Sequence, residues 1–207
     1  MIDELDQAPR GEVIFDMDGT LIHNDAAEAC LQGIDRMGHR NAVTEREENV
    51  FAAYKRVADY AEQCRYAALA LGGLSVSQVE ALVDEAFARG DVSPVAAVCE
   101  LAAHLGVRHR VWLVTASPEV IGVAVGKRLG LHRVHGVKLA MRGNTFLPET
   151  IAPVPCGPGK VRAAWELTGR VPLFAIGDSP QDLPLLRHAR VARTCGKNAG
   201  VEFPAFP

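Results

Sequence analysis

The sequence predicts an α/β fold in which a mostly parallel, Rossmann-like sheet carries helices on both faces, with a small helical domain inserted after the first strand. Three observations carry this. Short apolar runs at 12–15 (EVIF), 110–114 (RVWLV) and 171–176 (VPLFAI) are rich in Val, Ile, Leu and Phe, which suits strands covered on both faces. Helical patterns follow the second and third runs, beginning near Pro118 and Pro180, where proline suits a first turn. Residues 23–93 then separate the first two strand patterns, far more than the dozen or so that a simple crossover needs. The expected division is a core of residues 1–22 and 94–207 and an inserted helical domain of residues 23–93.

In chain order, EVIF ends at Asp16, and Asp18 follows after a single methionine. Within the insert, Thr44 and Glu47 form a capping box, after which Phe51, Tyr54, Ala58, Ala61, Cys64, Ala68 and Leu71 recur at helical spacing, so one helix is expected up to Gly72-Gly73. Glu45, Glu47 and Glu48 read as the solvated start of that helix, where negative charge is favoured. Ser75 and Gln78 open another helix, in which Val79, Leu82, Val83, Ala86 and Phe87 share a face, and Gly90 with Ser93-Pro94 marks the return to the core. RVWLV runs into Thr115-Ala116-Ser117. Residues 136–148, GVKLAMRGNTFLP, alternate around Arg142-Gly143-Asn144 and read as a hairpin. The third run ends at Gly177-Asp178. Parallel sheets bind ligands beyond the carboxyl ends of their strands, so these polar clusters converge on one edge.

Bulk properties narrow the partners. A net charge of -3 and a pI near 6.2 give no basic footprint for nucleic acid or an anionic membrane. Small molecules are the expected ligands. Cys30, Cys64, Cys99, Cys156 and Cys195 are odd in number, far apart and without a CxxC pair, which suits reduced thiols. The polar, acidic start MIDELDQAPR and the lack of a membrane-length apolar run point to the cytosol. Nothing in the sequence reports the oligomeric state.

Asp16 and Asp18 repel one another and would be driven towards protonation by burial unless a cation or hydrogen bonds keep them ionised. Gly177-Asp178-Ser179-Pro180-Gln181-Asp182 brings two more carboxylates to the same edge. Oxygen ligands without His or Cys spacing favour a hard cation, Mg2+ where phosphate is also bound. Thr115 offers a hydroxyl, and the backbone N–H groups around Ala116 offer donors to phosphate oxygens. CGPGKV is not a nucleotide P-loop, because Val161 stands where that motif needs Ser or Thr and the glycine spacing is wrong. Lys160 in that Gly/Pro-rich helix start is a positive charge that, taken alone, reads as a solvated surface residue.

The series DMDGT, Thr115, Lys160 and GDSPQD resembles the four-part signature of the haloacid-dehalogenase-like hydrolases and spans most of the chain. The resemblance implies that Asp16 attacks phosphorus and carries an aspartyl phosphate, and that Asp18 protonates the leaving alcohol and then activates water. It implies that Lys160 balances nucleophile and phosphate charge. Asp178 would be a direct metal ligand with Asp182 in support, Asp16 would ligate through its side chain, and Asp18 through its backbone carbonyl. The implied activity is a Mg2+-dependent phosphatase acting on a small-molecule phosphate monoester.

The insert resembles the helical cap of the phosphoserine-phosphatase-like branch, whose closure would exclude water. Asp25 falls where that branch carries an acidic residue that meets the substrate's amino group, although an exposed helix N-cap is the preferred reading of it. Gly19 and Thr115 stand where true phosphoserine phosphatases usually have serine, and their cap arginine motif is missing, which argues against phosphoserine itself. Two other readings use the same residues: a phosphotransferase in which an alcohol replaces water, and a signalling domain that keeps its phosphoaspartate. The second places its phosphorylated aspartate on a later strand than Asp16 and has no large insert.

Overall fold

A computed structural model of the chain describes residues 2–196 and 200–206. After a short helix α1 (Ile2–Gln7), strand β1 (Glu12–Phe15) leads to the small strand β2 (Ile22–His23), and four helices follow: α2 (Ala26–Arg36), α3 (Val50–Arg56), α4 (Tyr60–Leu69) and α5 (Val76–Arg89). Strand β3 (Ser93–Pro94) precedes α6 (Ala96–Gly106), β4 (Arg110–Pro118), α7 (Glu119–Leu129) and β5 (Val134–Val137). The hairpin β6 (Leu139–Arg142) and β7 (Thr145–Thr150) then leads to α8 (Pro158–Thr168), β8 (Phe174–Gly177), α9 (Leu183–His188) and β9 (Val191–Thr194).

The main sheet has the order β5-β4-β1-β8-β9, and every neighbouring pair in it is parallel. Its central strand β1 is buried along its whole length because both faces are covered. Val13 and Phe15 point into one apolar cluster, which also holds Leu113, Phe174 and Ile176. Ile14 points into the other, with Val114, Ala175 and the helical residues Ala164, Leu185 and Leu186. The period-two alternation of a strand thus divides one run of four residues between two cores. Phe15 and Phe174 meet with ring centres 5.8 Å apart and planes tilted by 56°.

Helices α2 to α5 leave the sheet region and return through an antiparallel pair, in which Ile22 faces Pro94 and His23 faces Ser93. Their apolar faces, including Ile34, Val79 and Val83, and Leu71 in the turn after α4 belong to the same cluster as Val13 and Phe15. The hairpin holds this group down as well: Gly73 N–H donates to Phe146 O at 2.8 Å and Phe146 N–H to Leu74 O at 2.9 Å. Asn41 does the same from within, its side-chain amide donating to Leu69 O and Gly72 O at 2.9 Å each.

The hairpin at 139–150 and the Ser75 capping box agree with the sequence reading, and Gly90 ends α5 in the left-handed conformation. Other expectations need correction. The single helix expected from Thr44 to Leu71 is two, α3 and α4, separated by an extended Val57. Asn49 and Asp59 each accept a backbone N–H three residues on and so start two helices where periodicity alone suggests one. Thr44 caps neither; it is buried in a turn, accepting the Asn41 N–H. Glu45, Glu47 and Glu48 therefore precede the helix rather than begin it, and Glu47 pairs with Arg56 at 2.7 Å. The third strand starts at Phe174, not Val171, and the helix expected near Pro180 begins at Leu183. All five cysteines are free thiols, and no helix among the described residues is long and apolar enough to cross a membrane.

Candidate active site

The carboxyl ends of β1, β4 and β8 open onto a cavity of about 550 Å³. Asp16, Asp18, Thr115, Ala116, Lys160, Asp178 and Asp25 all line it, while Asp182 lies beneath, 1% exposed. The turn after β1 is what lets Asp16 and Asp18 face the same space. Met17 is fully buried, and its carbonyl accepts N–H groups from Thr20, Leu21 and Ile22 at 2.9–3.2 Å. Gly19 closes that turn at φ +77, and a Cβ there would collide with the Asp178 carboxylate.

Lys160 is the electrostatic centre. Its Nζ donates to Asp16 Oδ1 and to Asp182 Oδ1, each at 2.5 Å, with the lysine itself 2% exposed. Burial works against its charge, but Asp16 and Asp182 outweigh it and hold the ammonium well above its ordinary value. Asp182 is fixed in turn by Ser179, whose N–H and hydroxyl both donate to Oδ2, at 3.0 and 2.7 Å. Asp16 is pushed up to about 7, first by burial and then by the charge of Asp182, with Lys160 offsetting part of the rise. Ligand oxygens of Asp16, Asp178 and Asp182 lie within 4.8 Å of one another. An all-carboxylate set, with Asp16 and Asp182 buried and Asp178 half-buried, whose charge one lysine only partly offsets fits a hard divalent cation.

Asp18 has other partners than Lys160. Its Oδ1 accepts the Ala26 N–H at 2.8 Å, at the start of α2, and its Oδ2 accepts the Ser117 hydroxyl at 2.6 Å. Burial, then the charge of Asp25, raise its carboxyl well above the ordinary value despite those bonds. Asp25 is the N-cap of α2, accepting the Glu28 N–H at 2.9 Å, and also lines the cavity; burial pushes it up to about 6. The cap reading and the site reading of this residue therefore coexist.

Two details differ from the sequence reading. Ser117, not singled out there, holds Asp18 more closely than Thr115 does, at 2.6 against 3.5 Å. The Ser117 N–H, one of the donors expected to meet phosphate, donates instead to Thr115 Oγ1 at 3.0 Å. The insert contributes Glu28, Lys55 and Tyr60 to the cavity wall, none of them flagged by motif, whereas Arg65 pairs at 3.5 Å with Glu62 on its own helix. Lys55 reaches across from α3 to Glu28 Oε1 at 2.6 Å. A lysine in the last turn of a helix gives no signal of its own, and only the chain path brings it here.

A family model for haloacid dehalogenase-like hydrolases matches residues 13–187. The fold is shared with a solved Bordetella pertussis Tohama I protein of unknown function, at 17% identity over 97% of this chain and 99% of that one, TM-score 0.77. It is shared with a substrate-bound phosphoserine phosphatase at 15% identity, covering 95% of this chain and 90% of that one, TM-score 0.62. A protein of unknown function from Anaerococcus prevotii DSM 20548 matches at 16% identity over 96% of this chain and 85% of that one, TM-score 0.74. No curated protein sequence matches the chain significantly.

Proposed function

The chain belongs to the haloacid dehalogenase-like hydrolases, and on that premise we propose that it is a Mg2+-dependent phosphatase that cleaves a small phosphate monoester through an aspartyl phosphate on Asp16. The observation that carries this is the division of labour between the two neighbouring carboxylates. Asp16 is gripped by Lys160, and Asp18 is turned towards Ser117 and the start of α2.

Asp16 attacks phosphorus in line with the leaving oxygen, and the ester bond breaks as the new acyl phosphate forms. Asp18, whose raised pKa favours the protonated form, gives its proton to the departing alkoxide. Water then attacks the phosphoryl group as Asp18 takes its proton, the bond from phosphorus to Asp16 breaks, and inorganic phosphate leaves with Asp16 returned as a carboxylate. Lys160 stays charged throughout, because Asp182 holds it from the other side. Asp16 and Asp178 would hold the magnesium ion through their side chains and Asp18 through its carbonyl. When bound, the ion supplies neutralising charge to the phosphoryl oxygens.

Residues 23–93 would act as the cap, entering and leaving through the β2–β3 pair, and the remainder as the core. A cavity of about 550 Å³, walled in part by Asp25, Glu28, Lys55 and Tyr60 of the insert, suits a small polar ester rather than a polymer. Hydrolysis of p-nitrophenyl phosphate with Mg2+ and with chelator, followed by a panel of small phosphate esters, tests the reading. Metal-dependent turnover supports it, and failure of every ester overturns it.

A further inference from the structure

A second cavity, of about 500 Å³, opens at the opposite edge of the same sheet, where β1 begins. Its walls carry Arg10, Arg170 and Arg190, the ring of Trp165 and Glu12. The three arginines are exposed, and so is Trp165, at 54%. Among the described residues none of the three guanidinium groups takes part in an ion pair or a side-chain hydrogen bond. Glu12 acts on Arg170 through space but offsets only part of this charge. Its carboxylate already accepts from Arg110 Nε and Trp112 Nε1, each at 2.7 Å, and the residue is 2% exposed.

A concave concentration of positive charge beside an aromatic face is out of keeping with a chain of net charge -3. Guanidinium forks match phosphate oxygens in pairs, and an exposed indole matches a flat ring. We propose that this cavity binds a nucleoside polyphosphate, with Arg10, Arg170 and Arg190 on the phosphates and Trp165 stacked on the base. The site is separate from the catalytic one: β1 has four residues, roughly 13 Å of strand, between the two edges. They share helix α8, which presents Lys160 at one end and Trp165 nearer the other, with Arg170 just beyond its Gly169 cap. The proposal does not depend on the phosphatase reading.

The test is titration of the whole chain with ADP, pyrophosphate and adenosine in chelator at low ionic strength, read by tryptophan fluorescence and calorimetry. ADP is expected to bind one site and quench fluorescence, with pyrophosphate and adenosine each at least about tenfold weaker. Arg170→Ala with Arg190→Ala, both on exposed side chains, should weaken ADP by about a hundredfold, and Trp165→Leu should abolish the quench. No binding of ADP to the wild type overturns the proposal. So does ADP binding that survives the double arginine variant, which would place it in the Asp16 cavity, and so does pyrophosphate binding as tightly as ADP, which would leave only a patch of charge.

Discussion

Ser117 donates its hydroxyl to Asp18 Oδ2 at 2.6 Å, joining two residues 99 apart in sequence at the ends of adjacent strands β4 and β1. That bond holds one carboxylate of the pair by a partner other than Lys160, and in the proposed mechanism this is the carboxyl that protonates the leaving group. Ser117→Ala should therefore lower kcat by about tenfold to a hundredfold with little change in KM, and shift the acid-side limb of the pH–rate profile. Ser117→Thr, which keeps the hydroxyl, should recover part of the loss. Steady-state kinetics across pH checks both, and an unchanged kcat in the alanine variant would remove Ser117 from the account.

Removing Lys160 strands two buried carboxylates. Lys160→Met should cost about 3–5 kcal/mol of stability, because Asp16 and Asp182 lose the cation that both contact at 2.5 Å. Urea unfolding at neutral pH measures this, and added Mg2+ should restore part of the loss by supplying positive charge to the same carboxylates. A variant as stable as the wild type would show that the lysine is replaceable by solvent.

Gly19 tests the proposed metal site without replacing a ligand. Its φ of +77 and the approach of the Asp178 carboxylate leave no room for a methyl group. Gly19→Ala should displace Asp178 and weaken Mg2+ binding by at least about tenfold, a loss readable by calorimetry. Wild-type affinity in this variant would contradict the placement of Asp178 beside the turn.

At the other end of β1, burial alone would raise Glu12, but the bonds from Arg110 and Trp112 and the charge of Arg110 prevail and hold its carboxyl below the ordinary 4.5. The folded state thus gives up this proton more readily than the unfolded one. The group's contribution to stability is present in full above the unfolded pKa and is lost as pH falls through the lower folded value. Glu12→Gln should flatten the acid limb of stability against pH below about 4.5 and change little of its shape at pH 7. Chemical denaturation from pH 2 to 7 is the check, and a parallel curve would show that other carboxylates control the acid limb.

What the sequence made legible follows from what signals locally. An apolar run buried on both faces, a proline at a first turn and a Ser–Gln capping box each determine structure over a few residues, and the parallel sheet, α5 and the hairpin follow from them. Asp16, Asp18, Lys160 and Asp178 line one cavity because each stands at an element end that the strand pattern locates. Thr44 misleads because a capping box is a pattern of residue types, and Asn49, better placed before the apolar face, wins the competition to start α3. Ser117 escapes notice because its direction depends on the path of β4 past its last apolar residue, which stays extended to Pro118. Lys55 and Tyr60 reach the cavity only through the break between α3 and α4, set by tertiary packing and by the Asp59 cap.

The central claim is that Asp16 becomes covalently phosphorylated, so the direct measurement is acid quenching during turnover of a good phosphate ester, followed by mass analysis of the peptide spanning residues 11–25. The account predicts one added phosphoryl group on Asp16, present only with Mg2+, released on further incubation, and absent together with all turnover in Asp16→Asn. Turnover that persists in Asp16→Asn, or active protein in which no phosphoryl group is ever found on that peptide, would contradict it.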